Sequence, residues 1–394
     1  MKTCSKMKSI SFLILAVILF SNAAAQRDTV LTPKPLVEGG IYDKPFITRL
    51  GGKTVLGGYM DVAGRFERVE GINEGWSFEA RRFNLFTYSV LARGIVVASE
   101  IEIEHGGEEI KLEYGLVDIE FHEAVNLRGG MILSPLGKTN LVHDSPKLEL
   151  VDRPLMATEI IPSTLSEVGI GLFGALYPSE MSRVTYELYA VNGFTADIIE
   201  DSPETRIAGG KNRLFEEDNN GEPALVGRLA FSPSLGTEAG VSFHTGAYNV
   251  FSVDGEDIDD RRTLTIVAAD LEHNEGWLRF QGEYAAALVD IPPSLRGIFA
   301  QRQHGWYVQT DAIFGHLMFP RWTRSHFTAT VRYDHVDFDG DLNGNDHQRL
   351  TVGLNFRFIQ DVVLKVNYEQ NWLTDRENNM ERSVGFLLSL ASYF

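Results

Sequence analysis

The sequence has one cysteine and no long apolar run after residue 25. Cys4 precedes the apolar stretch near the N-terminus, so a processed chain would contain no thiol, no disulfide and no zinc-thiolate site. No later segment approaches the ~18 consecutive apolar residues that a membrane helix needs. If this protein crosses a membrane, it must therefore cross as a closed β-barrel.

Basic residues are also scarce, since 36 Lys and Arg stand against 54 Asp and Glu, a formal net charge of −18 at pH 7. Nucleic acids are bound by basic surfaces, so no nucleic-acid partner is expected. An acidic exterior suits exposed loops that remain solvated or bind divalent cations.

Residues 1–25 have the pattern of a secretory signal peptide. Three lysines precede an apolar stretch over residues 10–20, and a run of three alanines ends at Ala25. Removing these residues takes away three lysines and no acid, so the formal net charge becomes −18 − 3 = −21. Residues 26–53 lack periodicity and contain three prolines, which predicts an irregular periplasmic lead-in.

Residues 54–394 are predicted to form an all-β, antiparallel transmembrane barrel. Segments of about ten residues alternate apolar and polar positions, as strands with a lipid face and a lumen face do. Sixteen are predicted, over residues 54–66, 76–90, 94–105, 109–121, 125–134, 167–177, 182–192, 223–232, 237–250, 262–271, 276–289, 304–317, 325–337, 348–358, 361–372 and 382–394. Short and long connections are expected to alternate strictly, which a two-sheet sandwich does not require.

Three local features refine this prediction. The strand over 109–121 changes phase, which predicts a β-bulge near Gly115. The final strand ends on Phe394 and is expected to pair with the first strand, although Ser392 replaces the large apolar residue usual two positions earlier. Aromatic girdles at the two membrane interfaces are predicted from the five tryptophans, Trp76, Trp277, Trp306, Trp322 and Trp372.

Charged side chains at polar positions of the strands are expected to face the pore. The candidates on the pore wall are Arg81, Arg82, Arg128, Arg183, Arg228, Arg279, Arg332, Arg357, Lys365, Glu100, Glu102 and Glu104. Passive anion selection requires bases in rings or ladders. Because acids and bases are mixed here, many of these arginines are expected to form salt bridges within the wall.

The long connection over residues 134–166 follows the fifth strand. Its length and its charges of both signs predict a segment that folds back into the lumen. The candidates for lining a constriction are Lys138, His143, Asp144, Lys147, Asp152, Arg153 and Glu159.

The chain resembles the phosphate-selective (O/P-type) porin family of outer-membrane β-barrels over about residues 55–394. The resemblance depends on a twin arginine in the second strand (Arg81–Arg82), Gly129–Gly130 leading to Pro135, Asp152–Arg153–Pro154 and the terminal Phe394. It implies sixteen strands, a constricting third external loop, a homotrimer and passive diffusion. It also implies the bacterial outer membrane, contact with its lipid and lipopolysaccharide, and insertion by the outer-membrane assembly machinery.

Several functions remain open at this point. The first is an outer-membrane porin that passes small hydrophilic solutes or ions, and the alternative is a substrate-specific phosphate or polyphosphate porin. A third is a plugged structural or adhesive barrel, or a lipid-acting barrel enzyme. The histidines are scattered and no G-x-S-x-G motif is present, so no enzyme is predicted.

One external loop resembles half of a calcium site. Asp339, Asp341 and Asn343 alternate as calcium-loop ligands do, but the twelfth position is Leu350 and not glutamate. These three residues are weak candidates for a loop-bound Ca²⁺, and no other cofactor is expected.

Overall fold

The computed structural model describes residues 54–316 and 318–394. The predicted signal peptide (1–25) and lead-in (26–53) lie outside the described residues. Sixteen antiparallel strands close into one barrel, which confirms the predicted fold class and strand number. They are β1 (Thr54–Val69), β2 (Ile72–Ala92), β3 (Ile95–Glu104), β4 (Glu109–His122), β5 (Val125–Leu133), β6 (Ser166–Leu176), β7 (Arg183–Val191), β8 (Ala224–Ser234), β9 (Thr237–Ala247), β12 (Thr263–Glu275), β13 (Leu278–Val289), β14 (Arg302–Phe314), β15 (His326–Asp337), β16 (Asp346–Ile359), β17 (Val362–Thr374) and β18 (Met380–Tyr393).

The remaining elements lie in connections. Two-residue strands β10 (Ser252–Val253) and β11 (Glu256–Asp257) form a separate hairpin between β9 and β12. Short α-helices span Leu155–Glu159 and Asp197–Glu200, and 3₁₀ turns span His105–Gly107, Ile207–Gly210 and Pro293–Leu295. Among the described residues, no helix has the length and hydropathy needed to cross a bilayer.

The strand faces are the reverse of those in a soluble protein. In β1, Leu56, Met60 and Val62 are exposed, whereas Tyr59 and Asp61 between them are buried. The other strands continue this alternation of exposed apolar outer positions and buried inner positions, many of which are polar or charged. Water would not stabilise so large an apolar exterior, but lipid does. The barrel therefore spans a lipid bilayer.

The first and last strands close the barrel. β1 pairs with β2 on one side and with β18 on the other, so neither strand leaves an open edge. The amide of Phe394 donates to the carbonyl oxygen of Gly58 at 3.0 Å, and its ring stacks on Phe83 with centroids 5.5 Å apart. A Cβ at Gly58 would lie 2.6 Å from that ring, so this close approach requires glycine.

Replacing Phe394 with alanine is expected to lower the stability of the barrel by about 1–2 kcal/mol, because it removes the stacked pair and its apolar contact. The temperature at which the compact band of unboiled protein is lost on a denaturing gel measures this effect. Phe121→Ala is the control, since Phe121 is 69% exposed on β4, away from the closing strands. Equal midpoints for the two variants would contradict a special role of Phe394.

The connections do not alternate as strictly as predicted. One end of the barrel carries the long connections 134–165, 192–223, 248–262 and 290–301, but the first two connections at that end are only 70–71 and 105–108. At the other end, the connection between β14 and β15 runs from 315 to 325. The prediction of strict alternation is therefore wrong, although the longest loops do share one end, which is the external end in such barrels.

Two further predictions concern strand detail. The pairing of β3 with β4 shifts between Glu100 and Ile101 and leaves Glu113 as the extra residue, close to the bulge expected near Gly115. Aromatic rings cluster near both barrel ends, as girdles do. One cluster contains Phe66, Trp76, Phe78 and Phe386, and the other contains Phe314, Phe319, Trp322, Phe327, Phe356 and Phe358.

Candidate functional site

The connection between β5 and β6, residues 134–165, is here called loop 3. Its two ends are adjacent, since the Ser134 amide donates to the Leu165 carbonyl oxygen at 3.1 Å. Its other residues form hydrogen bonds and ion pairs with side chains on β1, β2, β4, β9 and each strand from β12 to β18. Loop 3 thus has hydrogen-bond or ion-pair partners on most strands of the barrel.

Glu149 forms the first ion-paired contact between loop 3 and the wall. Its carboxylate accepts hydrogen bonds from Arg279 on β13 at 3.2 Å, from Arg357 on β16 at 3.1 Å and from Asn355 at 2.9 Å. Burial raises the pKa of Glu149, but Arg357 and Arg279 more than offset this and hold its pKa below the ordinary value. The carboxylate is therefore charged at neutral pH and links loop 3 to two strands.

Asp152 forms the second ion-paired contact. Its carboxylate pairs with Arg65 on β1 and with Arg81 on β2, the latter at 2.9 Å, and Arg81 also donates to the Val151 carbonyl oxygen at 2.9 Å. Despite burial, these arginines hold the pKa of Asp152 well below its ordinary value. The twin-arginine strand therefore binds the Asp-Arg-Pro segment, two motifs that the sequence left unconnected.

The start of loop 3 binds the opposite wall. The ammonium of Lys138 lies 2.5 Å from Glu272 on β12 and 3.4 Å from Glu238 on β9. Burial lowers the pKa of Lys138, but these two carboxylates more than offset it, so the pKa is raised. Glu283 on β13 accepts hydrogen bonds from the Lys138 amide at 2.7 Å and the Thr139 hydroxyl at 2.6 Å.

The remaining predicted residues of loop 3 have varied surroundings. His143 is paired with Glu113 on β4, and Asp144 accepts a hydrogen bond from the Tyr393 hydroxyl at 2.7 Å. The amide of Lys147 donates to the Asp144 carbonyl oxygen at 2.9 Å. Glu159 lies 4.0 Å from Arg206, which belongs to the connection 192–223, here called loop 4.

Arg153 differs from the other bases of loop 3. Its side chain is buried, and its Nη1 donates to the Thr164 hydroxyl oxygen at 3.2 Å. Its Nε and Nη2 atoms are buried without a hydrogen-bond partner. Among the ion pairs of residues 54–316 and 318–394, none includes Arg153.

Most of the predicted wall arginines are paired with wall acids. Arg82 binds Glu102 and Glu104, Arg128 binds Asp118, Arg183 and Arg228 bind Glu238, Arg228 also binds Asp270, and Arg332 binds Asp334. Lys365 instead donates to the Ser145 carbonyl oxygen of loop 3 at 2.6 Å, and Glu100 accepts from Asn84 at 2.7 Å. These bases form salt bridges and loop contacts, not an unpaired basic ladder.

The inner wall is divided by the sign of its charges. Acids predominate from β3 to β14, where Glu100, Glu102, Glu113, Asp118, Glu167, Glu238, Asp270, Glu283 and Asp311 are buried, and the buried bases among the described residues of these strands are Arg128, Arg228 and His244. From β15 through the closure to β2, bases outnumber the buried acids, since the buried Arg332, Arg349, Arg357 and Lys365 and the half-buried Arg65, Arg81 and Arg82 stand against the buried Asp61, Asp334 and Glu369. Loop 3 is complementary to this pattern, because Lys138 meets acids of β9 and β12, and Asp152 meets Arg65 and Arg81 on the basic side. Glu149 pairs with Arg357 on the basic side and with Arg279 on β13.

Apolar contacts supplement these ion pairs. Leu155, Met156 and Ile160 from loop 3 and Ile198 and Ile207 from loop 4 belong to one buried cluster that also includes inner residues of β4 and β12–β15. The salt bridges determine which strands each segment of loop 3 contacts, whereas this cluster buries the apolar surface of loops 3 and 4.

Sequence reasoning missed Arg65, Arg349, Glu113 and Lys211. Arg65 and Arg349 occupy inner positions of their strands, so the two-residue period could have revealed them. Glu113 is the bulge residue and therefore departs from that period. Lys211 lies in loop 4, where no periodic signal exists.

The calcium candidates are engaged by arginines. Arg376 pairs with Asp339 at 3.3 Å, and Arg302 pairs with Asp341. Calcium at Asp339, Asp341 and Asn343 would have to compete with these cations, and it stays a prediction.

Comparison with proteins of known structure bears on the fold. The anion-selective porin from Comamonas acidovorans is 12% identical, with a TM-score of 0.58 over 86% of this chain and 99% of that one. The fold is that of an outer-membrane porin. The DcaP channel of Acinetobacter baumannii has a TM-score of 0.56 at 12% identity, over 89% of this chain and 99% of that one. Pseudomonas putida OprB has a TM-score of 0.53 at 9% identity, over 86% and 94%.

Sequence comparison is less informative. A protein from Aquifex aeolicus (strain VF5), described only as uncharacterized, is 28% identical over 310 residues, which are 71% of this chain and 67% of that protein. No family model matches the chain. The porin fold is thus established, whereas membership of the phosphate-selective family stays a prediction.

Proposed function

We propose that this porin-like barrel forms a water-filled channel through which small hydrophilic solutes and ions diffuse passively, and that loop 3 folds into the lumen and narrows it. The observation that carries the proposal is the anchoring of one loop, through Lys138, Glu149 and Asp152, to opposite sides of a charged inner wall. The porin folds of the Comamonas, Acinetobacter and Pseudomonas proteins support it.

The charge distribution gives this channel a mechanism. Acids on one side and bases on the other produce a field across the lumen, which orients polar solutes and replaces part of their hydration. Apolar solutes gain no stabilisation from that field, and they must leave an apolar phase to enter the aqueous lumen. The channel therefore favours small polar solutes over apolar ones of the same size.

Conductance of the purified protein in planar lipid bilayers tests the proposal. Discrete current steps in KCl are expected, and the reversal potential in a KCl gradient gives the ratio of anion to cation permeability. Insertion without any current steps would reject the channel and favour the plugged structural or adhesive barrel. Homotrimer formation and contact with lipopolysaccharide remain predictions, which cross-linking in native outer membranes can check.

A further inference from the structure

We propose that the turn over residues 318–325 binds one anionic phospholipid of the surrounding membrane. Arg321 and Arg324 hold the phosphodiester headgroup, and the aromatic rings beside them seat an acyl chain. The site lies on the lipid-facing side of the wall, at the end of the barrel opposite the long loops. It is therefore separate from the lumen and from the solutes of the channel.

The turn is the longest connection at its end of the barrel. The connection from β14 to β15 runs over residues 315–325, whereas the other described connections at that end are no longer than 177–182. The Trp322 amide donates to the Phe319 carbonyl oxygen at 2.9 Å, and the Ser325 amide donates to the Trp322 carbonyl oxygen at 3.0 Å. Two successive tight turns thus fold the extra residues into a compact segment.

The aromatic side chains of the turn pack on the outside of the wall. The Trp322 ring meets Phe358 edge to face at a centroid distance of 5.1 Å. The Phe319 ring meets Phe356 in the same way, also at 5.1 Å. Phe356 and Phe358 occupy outward positions of β16, and Phe319 and Met318 remain 38% and 61% exposed. Because this surface faces acyl chains in a bilayer, the rings can seat one chain of a lipid.

The two arginines of the turn carry charge that no acid neutralises. Arg321 and Arg324 are both exposed, and no ion pair within residues 54–316 and 318–394 includes either of them. Asp361, in the neighbouring turn, is near enough to Arg324 to interact with it electrostatically, but the two are not ion-paired in the described part of the chain. The Arg321 guanidinium lies 5.6 Å from the centre of the Trp322 ring, and this cation–π contact leaves its N–H groups available to a ligand.

The chemistry of these bases selects the ligand. A guanidinium donates two parallel N–H groups to two oxygens of a phosphate. The chain from Arg321 to Arg324 spans at most about 11 Å when extended, and the tight turns shorten it, so the two long side chains can meet at one phosphodiester group. A zwitterionic headgroup brings its own cation to this positive surface, whereas the headgroup of phosphatidylglycerol does not. Tryptophan lies at headgroup level in membranes, which places Trp322 and both arginines at the depth of the phosphodiester.

The test uses the purified protein in a non-ionic detergent with short-chain phosphatidylglycerol as the probe and phosphatidylcholine of the same chain length as the reference. Native mass spectrometry counts the lipids that each chain retains, and the rise in thermal-unfolding midpoint reports binding to the folded state. One phosphatidylglycerol per chain is expected, with at least about tenfold weaker binding of phosphatidylcholine. Glycerol phosphate and inorganic phosphate offer the same oxygens without acyl chains, so they are expected to leave the midpoint unchanged.

The double variant Arg321→Gln/Arg324→Gln is expected to bind phosphatidylglycerol about tenfold or more weakly, because the charge-assisted hydrogen bonds are lost. Arg93→Gln is the matched control, since Arg93 is likewise exposed and lies in the short connection 93–94 at the same end of the barrel. The control should bind phosphatidylglycerol as the original protein does.

Three outcomes would overturn the site. The first is equal retention of the two phospholipids by the original protein, and the second is an equal response of the double variant and Arg93→Gln. The third is a rise in midpoint with glycerol phosphate or inorganic phosphate as large as that with phosphatidylglycerol, because the ligand would then be a free anion and not a lipid. A compact unboiled band for each variant on a denaturing gel excludes misfolding as the cause of weaker binding.

Discussion

Excision of most of loop 3 is expected to raise the single-channel conductance at least about twofold, because a sixteen-stranded barrel leaves an aqueous lumen when nothing fills it. The variant replaces residues 136–163 with a linker of about four glycine and serine residues. A short linker suffices, because Ser134 and Leu165 already share a backbone hydrogen bond of 3.1 Å. Conductance in KCl and the size limit for neutral sugars entering proteoliposomes measure the result.

The control for the excision shortens another external loop. Residues 251–259 contain the exposed hairpin of β10 and β11, and replacing them in the same way should leave the conductance unchanged. If both deletions gave the original conductance, loop 3 would not be the constriction, and the proposed narrowing would be wrong while the channel itself could stand.

Glu149→Leu is expected to have the second-largest effect, the release of loop 3 from β13 and β16. The substitution leaves Arg279 and Arg357 without their shared carboxylate, and breaking a buried pair in this way costs about 3–5 kcal/mol. Trypsin should then cleave loop 3 after Lys147 at least about tenfold faster than in the original protein. Mass spectrometry of the fragments locates the cut.

Two comparisons sharpen this result. Glu159→Gln removes an acid from the same loop whose only ion pair among residues 54–316 and 318–394 is a 4.0 Å contact with Arg206, so it should leave the cleavage rate nearly unchanged. Since the pKa of Glu149 lies below 4.5, its contribution to stability is present above that pH and is lost as the pH falls through the lowered pKa. If the original protein at pH 7 were cleaved as fast as Glu149→Leu, Glu149 would not hold the loop.

The sequence predicted the barrel well because its strands are governed by a local rule. Alternation with a period of two gave all sixteen strands and distinguished inner from outer positions, and the wall pairing of arginines followed from mixed charges on the inner positions. The one local failure was the connections, where β14 and β15 are joined by residues 315–325 although a short turn was expected.

The contacts of loop 3 could not be predicted in the same way. Glu149 and Arg357 are 208 positions apart, and Asp144 and Tyr393 are 249 apart, so no local pattern connects them. Charge composition showed that loop 3 carried acids and bases, but only the closed barrel shows which wall each one meets. Arg153 illustrates the limit, because no local pattern predicts that its guanidinium donates to Thr164 and has no ion pair among the described residues.

The contact between Asp144 and Tyr393 has a consequence for biogenesis. Tyr393 lies on β18, the strand that closes the barrel, and Glu149 depends on β13 and β16, so these partners of loop 3 follow the loop by more than a hundred residues along the chain. The loop therefore cannot complete its native contacts until the last hairpin has been inserted. Its docking is a late event of assembly that marks a finished barrel.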